Sequence, residues 1–134
     1  MLARLSKSLI QTTSRRAPLS ISSILSGKSL DIESKDEFSQ NVLKAKENNI
    51  VIVDFHAQWC GPCKMMSPDL KKIISEHEHV DLVKIDVDEC EDEIMMEHQI
   101  QAMPTLKFYK NGEEKFKKVG MMDYQQMNAL ISTL

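Results

Sequence analysis

Of the three cysteines in the 134 residues, two stand close together in the run Trp59-Cys60-Gly61-Pro62-Cys63. Two thiols separated by two residues can pass between dithiol and disulfide, provided one of them ionises readily. The flanking residues supply that condition. Residues 50–55 read Ile-Val-Ile-Val-Asp-Phe, β-branched and apolar, which predicts a buried strand over 50–57. Met66, Leu70, Ile73 and Ile74 follow at helical spacing and predict a helix over 60–78. The cysteines then fall on its first turn, where unpaired N–H groups and the positive dipole end favour a thiolate. Gly61 lets another backbone approach closely, and Pro62 fixes φ where no N–H partner is needed. A histidine in place of Pro62 would add a positive charge, stabilise the thiolate and make the pair more oxidising. Proline adds none, so the pair reads as a reductant.

The same spacing could serve half of a zinc site, in a small zinc-bound interaction domain. Zinc usually takes four ligands, commonly in two pairs. Cys90 is the remaining cysteine, and His56, His77, His79 and His98 offer no second paired spacing, so no metal is expected. Asp54 is a carboxylate inside an apolar strand. If buried, its pKa rises into the range of a useful proton acceptor; the alternative is a solvated aspartate at a strand edge. Cys90 lies among Asp86, Asp88, Glu89, Glu91, Asp92 and Glu93, a field that disfavours a thiolate and predicts a slow, non-catalytic thiol.

Composition fits one globular domain with a tail, 42% hydrophobic and 28% charged. No stretch approaches the roughly 20 apolar residues of a membrane-spanning helix, and three cysteines do not make a secreted disulfide framework. Charge divides the chain. Residues 1–30 carry Arg4, Lys7, Arg15, Arg16 and Lys28 and no acid, whereas residues 31–134 carry 20 acids against 12 bases. The first segment is also serine-rich, and a helical projection puts Leu2, Leu5 and Leu9 opposite Arg4, Lys7 and Gln11. That composition predicts a mitochondrial targeting presequence over 1–28, either cleaved between about residue 16 and residue 29 or disordered, with a domain over 29–134; the alternative is a disordered basic tail with no address.

Within the domain, residues 29–32 predict a short strand. Ser34 and Glu37 form a capping box that opens a helix with Phe38 and Val42 inward. After the redox helix come a strand over 81–86 and an acidic helix over 91–98. Strands over 105–110 and 114–119 are joined through Asn111-Gly112, a hairpin signal. Asp123 caps a last helix, with Gln126 three residues on and Tyr124, Met127, Ile131 and Leu134 on one face. This alternation predicts an α/β fold, a mixed central sheet flanked by helices on both faces.

The chain from about residue 29 to 134 resembles the thioredoxin family. The matching pieces are Val53-Asp54-Phe55, Trp59-Cys60-Gly61-Pro62-Cys63-Lys64, Pro68, Lys84-Ile85-Asp86, Met103-Pro104-Thr105, Asn111-Gly112 and Gly120, in order and in spacing. Phe55-His56-Ala57-Gln58-Trp59 is most similar to mitochondrial members. The resemblance implies the thioredoxin fold and a protein-disulfide reductase that maintains mitochondrial thiol redox balance in the matrix. In that reading Cys60 is the exposed nucleophile that forms a mixed disulfide with substrate. Cys63, one turn deeper, is the resolving thiol, and Asp54 accepts its proton. Trp59, Gly61, Pro62, Met103 and a cis Pro104 line the substrate groove, and Lys84 and Gly120 support the site. Met121 also falls where that groove runs, while Met65 and Met66 read equally well as core filling. No bound cofactor is implied, since electrons come from NADPH through thioredoxin reductase. The implied partners are that reductase and disulfide substrates such as peroxiredoxins and methionine sulfoxide reductases, served by a monomer with no nucleic acid or membrane partner. A non-catalytic adaptor of the same fold, clasping a partner around Trp59 and Pro104, is the alternative; it would have no need of both cysteines and Asp54.

Overall fold

The computed structural model describes residues 27–134; the expected presequence lies almost wholly outside the described residues. Gly27 and Lys28 are already bonded to the domain. The Gly27 N–H donates to Asp81 Oδ1 at 2.6 Å, and the Lys28 carbonyl accepts from Leu82 N at 2.9 Å.

The elements run β1 (Ser29–Asp31), α1 (Lys35–Phe38) continued by a π-helical turn (Ser39–Leu43), β2 (Ile50–His56), α2 (Gly61–Glu76), β3 (Val80–Asp86), α3 (Asp92–His98), β4 (Thr105–Lys110), β5 (Glu113–Val119) and α4 (Tyr124–Ile131). These match the expected elements to within two residues at each end, apart from the last helix, which stops at Ile131 and leaves Leu134 beyond it. The other exception is the first helix, where four α-helical residues pass into a wider turn that keeps Phe38 and Val42 buried. Both capping boxes form, Ser34 with Glu37 and Asp123 with Gln126; each is worth about 1 kcal/mol of helix stability.

The sheet order is β1-β3-β2-β4-β5, with β1, β3 and β2 parallel and β4 and β5 antiparallel to their neighbours. Side chains alternate across a strand, so β2 feeds two cores. Val51, Val53 and Phe55 pack with Phe38, Val42, Val83, Ile85 and Ile94 under α1 and α3. Ile50 and Ile52 pack with Leu82, Leu106, Phe108, Met66, Leu70 and Met127 under α2 and α4. Helices therefore cover both faces, as the alternation of elements predicts. Asp54 and His56 continue the even-numbered side of β2 beyond Ile52, toward the start of α2.

The hairpin turns through Asn111 at φ 53° and Gly112 at φ 80°, a left-handed pair that suits this dipeptide. A Cβ on Gly112 would also stand 2.7 Å from the Leu43 carbonyl oxygen. Beyond the turn, Phe108 opposes Phe116 but Tyr109 opposes Glu114, so Lys115 is an extra residue that shifts the register.

Candidate active site

Cys60 occupies the N-cap of α2 in extended backbone, with Pro62 in the first turn. Its sulfur accepts the N–H of Cys63 at 3.2 Å, one of the donors that a helix start leaves unpaired. The same geometry places a partial positive charge against that sulfur when the pair is reduced. Here Cys60 and Cys63 are joined as a disulfide with their Cα atoms 5.3 Å apart. The two residues are 4% and 6% exposed. The expected contrast between an open and a covered cysteine is thus absent in the oxidised form, because Ala57, Val87 and Met103 pack around both.

Trp59, one residue earlier, is 68% exposed, and its Nε1 donates to Asp88 Oδ2 at 2.9 Å. The Met103–Pro104 peptide bond is cis, and Met103 packs beside the dithiol. Two bonds hold this turn: Thr105 Oγ1 donates to the Ala102 carbonyl at 2.7 Å, and Gly120 N to the Pro104 carbonyl at 2.8 Å. Gly120 sits at φ 101°, a region that glycine enters without strain, so its support is a backbone matter. The cluster of methionines divides. Met66 and Met122 are core, whereas Met65 and Met121 are exposed.

Asp54 is 3% exposed, which settles the choice between a buried and a strand-edge carboxylate. Burial pushes its pKa up to about 7, against a smaller downward pull from the Lys84 ammonium. Lys84 is its register neighbour on β3. Asp54, Lys84 and Cys63 share a cavity of about 130 Å³ with Lys64 and Ser67. The arrangement brings Cys60, Cys63, Asp54, Lys84, Trp59 and the Met103–Pro104 turn to one end of the sheet. Cys90 is buried, and burial above all pushes its thiol up, against a backbone hydrogen bond; Asp86, Asp92 and Glu91, the groups the sequence pointed to, add smaller contributions in the same direction. Among the described residues no three of His, Cys, Asp or Glu gather to hold a metal.

One residue, weighed in the sequence only as a metal ligand and as part of a matching segment, belongs at the site. His56 lines the same cavity as Asp54 and Cys63. Its spacing of two from Asp54 on a strand was the signal that could have found it.

A family model described as thioredoxin matches residues 29–133. The mitochondrial thioredoxin of Bos taurus is 37% identical over 105 residues, which is 78% of this chain and 61% of that protein. The chain therefore matches somewhat less than two thirds of the length of this curated relative. Among solved structures, oxidised mitochondrial thioredoxin 3 of Saccharomyces cerevisiae superposes with a TM-score of 0.69 at 35% identity, over 78% of this chain and 94% of that one. A chain from a structure of the thiol resolving mechanism in yeast mitochondrial 1-Cys peroxiredoxin via glutathione and thioredoxin systems matches with a TM-score of 0.69 at 34% identity, over 78% and 94%. With its cysteine pair at a helix start and Met103 of the cis Met103–Pro104 bond packed beside it, the chain belongs to the thioredoxin family.

Proposed function

We propose that the protein reduces protein disulfides by dithiol–disulfide exchange through Cys60 and Cys63. The observation that carries this reading is the Cys60 sulfur at the N-cap of α2, accepting a backbone N–H and packed beside Met103 of the cis turn. Such a sulfur is stabilised as a thiolate, the form that attacks. The Cys60 thiolate displaces one sulfur of the substrate disulfide, leaving a mixed disulfide. Cys63 then gives its proton to the Asp54 carboxylate and attacks the Cys60 sulfur, and the substrate departs as a dithiol. Trp59, Gly61, Pro62 and the main chain of Met103 form the surface against which substrate lies.

No bound group is needed for this exchange. Electrons return to the Cys60–Cys63 disulfide from NADPH through thioredoxin reductase. Peroxiredoxins are proposed substrates, supported by the peroxiredoxin context of one similar chain, and methionine sulfoxide reductases are proposed on family grounds. The protein acts as a monomer in the mitochondrial matrix. Supporting that address are the mitochondrial relatives and the basic, acid-free composition of residues 1–30. Processing between about residues 16 and 26 would leave the Gly27 and Lys28 bonds to the domain intact.

The test is reduction of a model protein disulfide by the full chain, compared with Cys60→Ser and Cys63→Ser. Both substitutions abolish turnover, and Cys63→Ser accumulates a mixed disulfide through Cys60. Turnover that persists in Cys60→Ser refutes the reading. For the address, a reporter carrying residues 1–30 collects in mitochondria; a uniform cytosolic signal removes the targeting claim.

A further inference from the structure

Among the described residues, two buried side-chain atoms have no hydrogen-bond partner, Asp54 Oδ1 and His56 Nε2. The two residues are separated by one on β2, so both side chains leave the same face of the sheet. Both line the cavity of about 130 Å³ beside Cys63. An unpaired buried polar atom costs about 1–3 kcal/mol, and both of these belong to residues that line one small space, which points to something that occupies it. A water needs only about 10–15 Å³ and two to four polar partners. Ser67, Lys64 and Lys84 line the space as well.

We propose that His56 is a second proton acceptor for Cys63, reached through water held in this cavity and working beside Asp54. This deepens the reading of Cys63 as the resolving thiol and rests on it. In the step itself the Cys63 thiol gives its proton to a cavity water as that water yields one to Asp54 or to His56 Nε2. The electron pair left on Cys63 sulfur forms the bond to Cys60. The bond between Cys60 and the substrate sulfur breaks, and its pair leaves on the substrate, which takes a proton from solvent. The cysteine pair is oxidised as the substrate disulfide is reduced, so no further electron carrier enters.

The charges around the imidazole explain why two acceptors are useful. His56 sits near Asp54 on its own strand, Lys84 and Asp86 on β3, Asp31 on β1, and Cys63 and Lys64 on α2. Burial first, and then Lys84, hold its pKa below the ordinary 6.5, while Asp86 and Asp31 oppose them. Asp54 is pushed up to about 7. As pH falls through 7 the carboxylate fills with a proton while the imidazole remains neutral, with a lone pair free to accept. The two groups therefore cover adjacent ranges of pH.

The experiment follows the lifetime of the mixed disulfide between Cys60 and a disulfide-bonded model peptide, by acid quench and mass spectrometry, from about pH 5 to 9. Full-length Asp54→Asn resolves the adduct more slowly than the parent, with a residual rate that declines below about pH 6.5. Adding His56→Phe lowers that residual rate about tenfold and removes the decline. His56→Gln keeps a polar side chain that cannot take the proton, so it reproduces the loss and stands in should the phenylalanine variant not fold. Equal residual rates with and without His56, across the whole pH range, overturn the proposal. If Asp54→Asn alone matches the parent and only the added His56 change slows resolution, the proposal stands and the role given to Asp54 falls. If Cys63→Ser traps no adduct, the order of attack fails and the proposal with it.

Discussion

Two groups of buried ionisable side chains lie on opposite faces of the sheet, and they are handled in opposite ways. On the α2 side, Asp54 and His56 face a polar cavity with an oxygen and a nitrogen unpaired. On the α1 and α3 side, Lys107 is only 5% exposed, yet its Nζ lies 2.9 Å from Glu114 Oε1 and 3.2 Å from His98 Nδ1. Tyr109 adds its hydroxyl to Glu114 at 3.5 Å, and burial raises its pKa. Two different costs are involved. A buried charge with partners recovers much of its desolvation through them, whereas one without partners shifts its pKa instead. The first arrangement suits structure. The second keeps a group ready to exchange a proton, at the expense of stability.

Removing the unpaired carboxylate is the strongest way to test that contrast. Asp54 has a folded pKa of about 7 against an ordinary 3.8. A group raised on folding favours the folded state below its unfolded pKa, and that benefit is lost as pH rises to the folded value. At about 1.36 kcal/mol per unit, the loss by pH 8 is up to about 4 kcal/mol. Asp54→Asn, neutral throughout, should therefore stabilise the oxidised protein by that order at pH 8 and by almost nothing at pH 4, read from urea unfolding. Equal stability of the two at pH 8 would mean that the carboxylate is compensated after all.

The paired group should respond with the opposite sign. Glu114→Gln leaves Lys107 buried with a neutral partner and is expected to destabilise by about 1–2 kcal/mol, less than a fully buried pair because the Glu114 side chain is 39% exposed. Lys107→Met removes the charge along with the need to pair it, and should cost less than Glu114→Gln. Chemical unfolding of both variants at pH 7.5 gives the order. If Lys107→Met is the more damaging, the pair is a net source of stability and the contrast between the two faces weakens.

A smaller effect separates the two faces by activity. Lys84 lowers the Asp54 pKa through its charge. Lys84→Met should move the midpoint of the resolving rate to higher pH, by less than about one unit because water in the cavity screens the charge. A pH profile of adduct decay reads the shift. Movement to lower pH would contradict the assignment of Asp54 as the acceptor.

The readable part of this molecule was set by local rules. Ser34 with Glu37, Asp123 with Gln126, and Asn111-Gly112 each specify a cap or a turn within a few residues, and each formed. The dithiol was legible because the apolar strand pattern before it and the helical pattern after it place both cysteines at a helix start. What stayed hidden depends on partners distant in the chain. Lys107 in Thr-Leu-Lys-Phe-Tyr-Lys has the look of a solvent-facing strand lysine. Its burial becomes apparent only when α1 and α3 are seen to cover that face. Glu114 reaches it because the extra residue, Lys115, resets the register of β5, and no turn residue announces that shift. The unpaired nitrogen of His56 is hidden for a similar reason, since it needs the cavity between β2, β3 and α2 to be noticed.

His98 offers the finest test, because it borders the paired group while sharing the depressed pKa of His56. Its ring packs at 4.6 Å from Phe38 and 5.6 Å from Phe55, and burial, followed by the Lys107 charge, lowers its pKa below the ordinary 6.5. Glu97 and Glu114 pull the other way. The unfolded chain then takes up a proton before the folded one does, so stability is complete above about pH 6.5 and declines as pH falls below it. Protonation would set a second cation against Lys107, with Glu97 and Glu114 the carboxylates that answer it. His98→Phe keeps the aromatic packing and cannot protonate, so its melting temperature should fall less than the parent's between pH 7.5 and 5.5, by about 2 °C for this half-exposed ring. His56 still titrates in that variant, which leaves part of the acid loss in place. A variant that loses as much as the parent would assign the whole acid limb to the dithiol side, and the paired cluster would then be silent to pH.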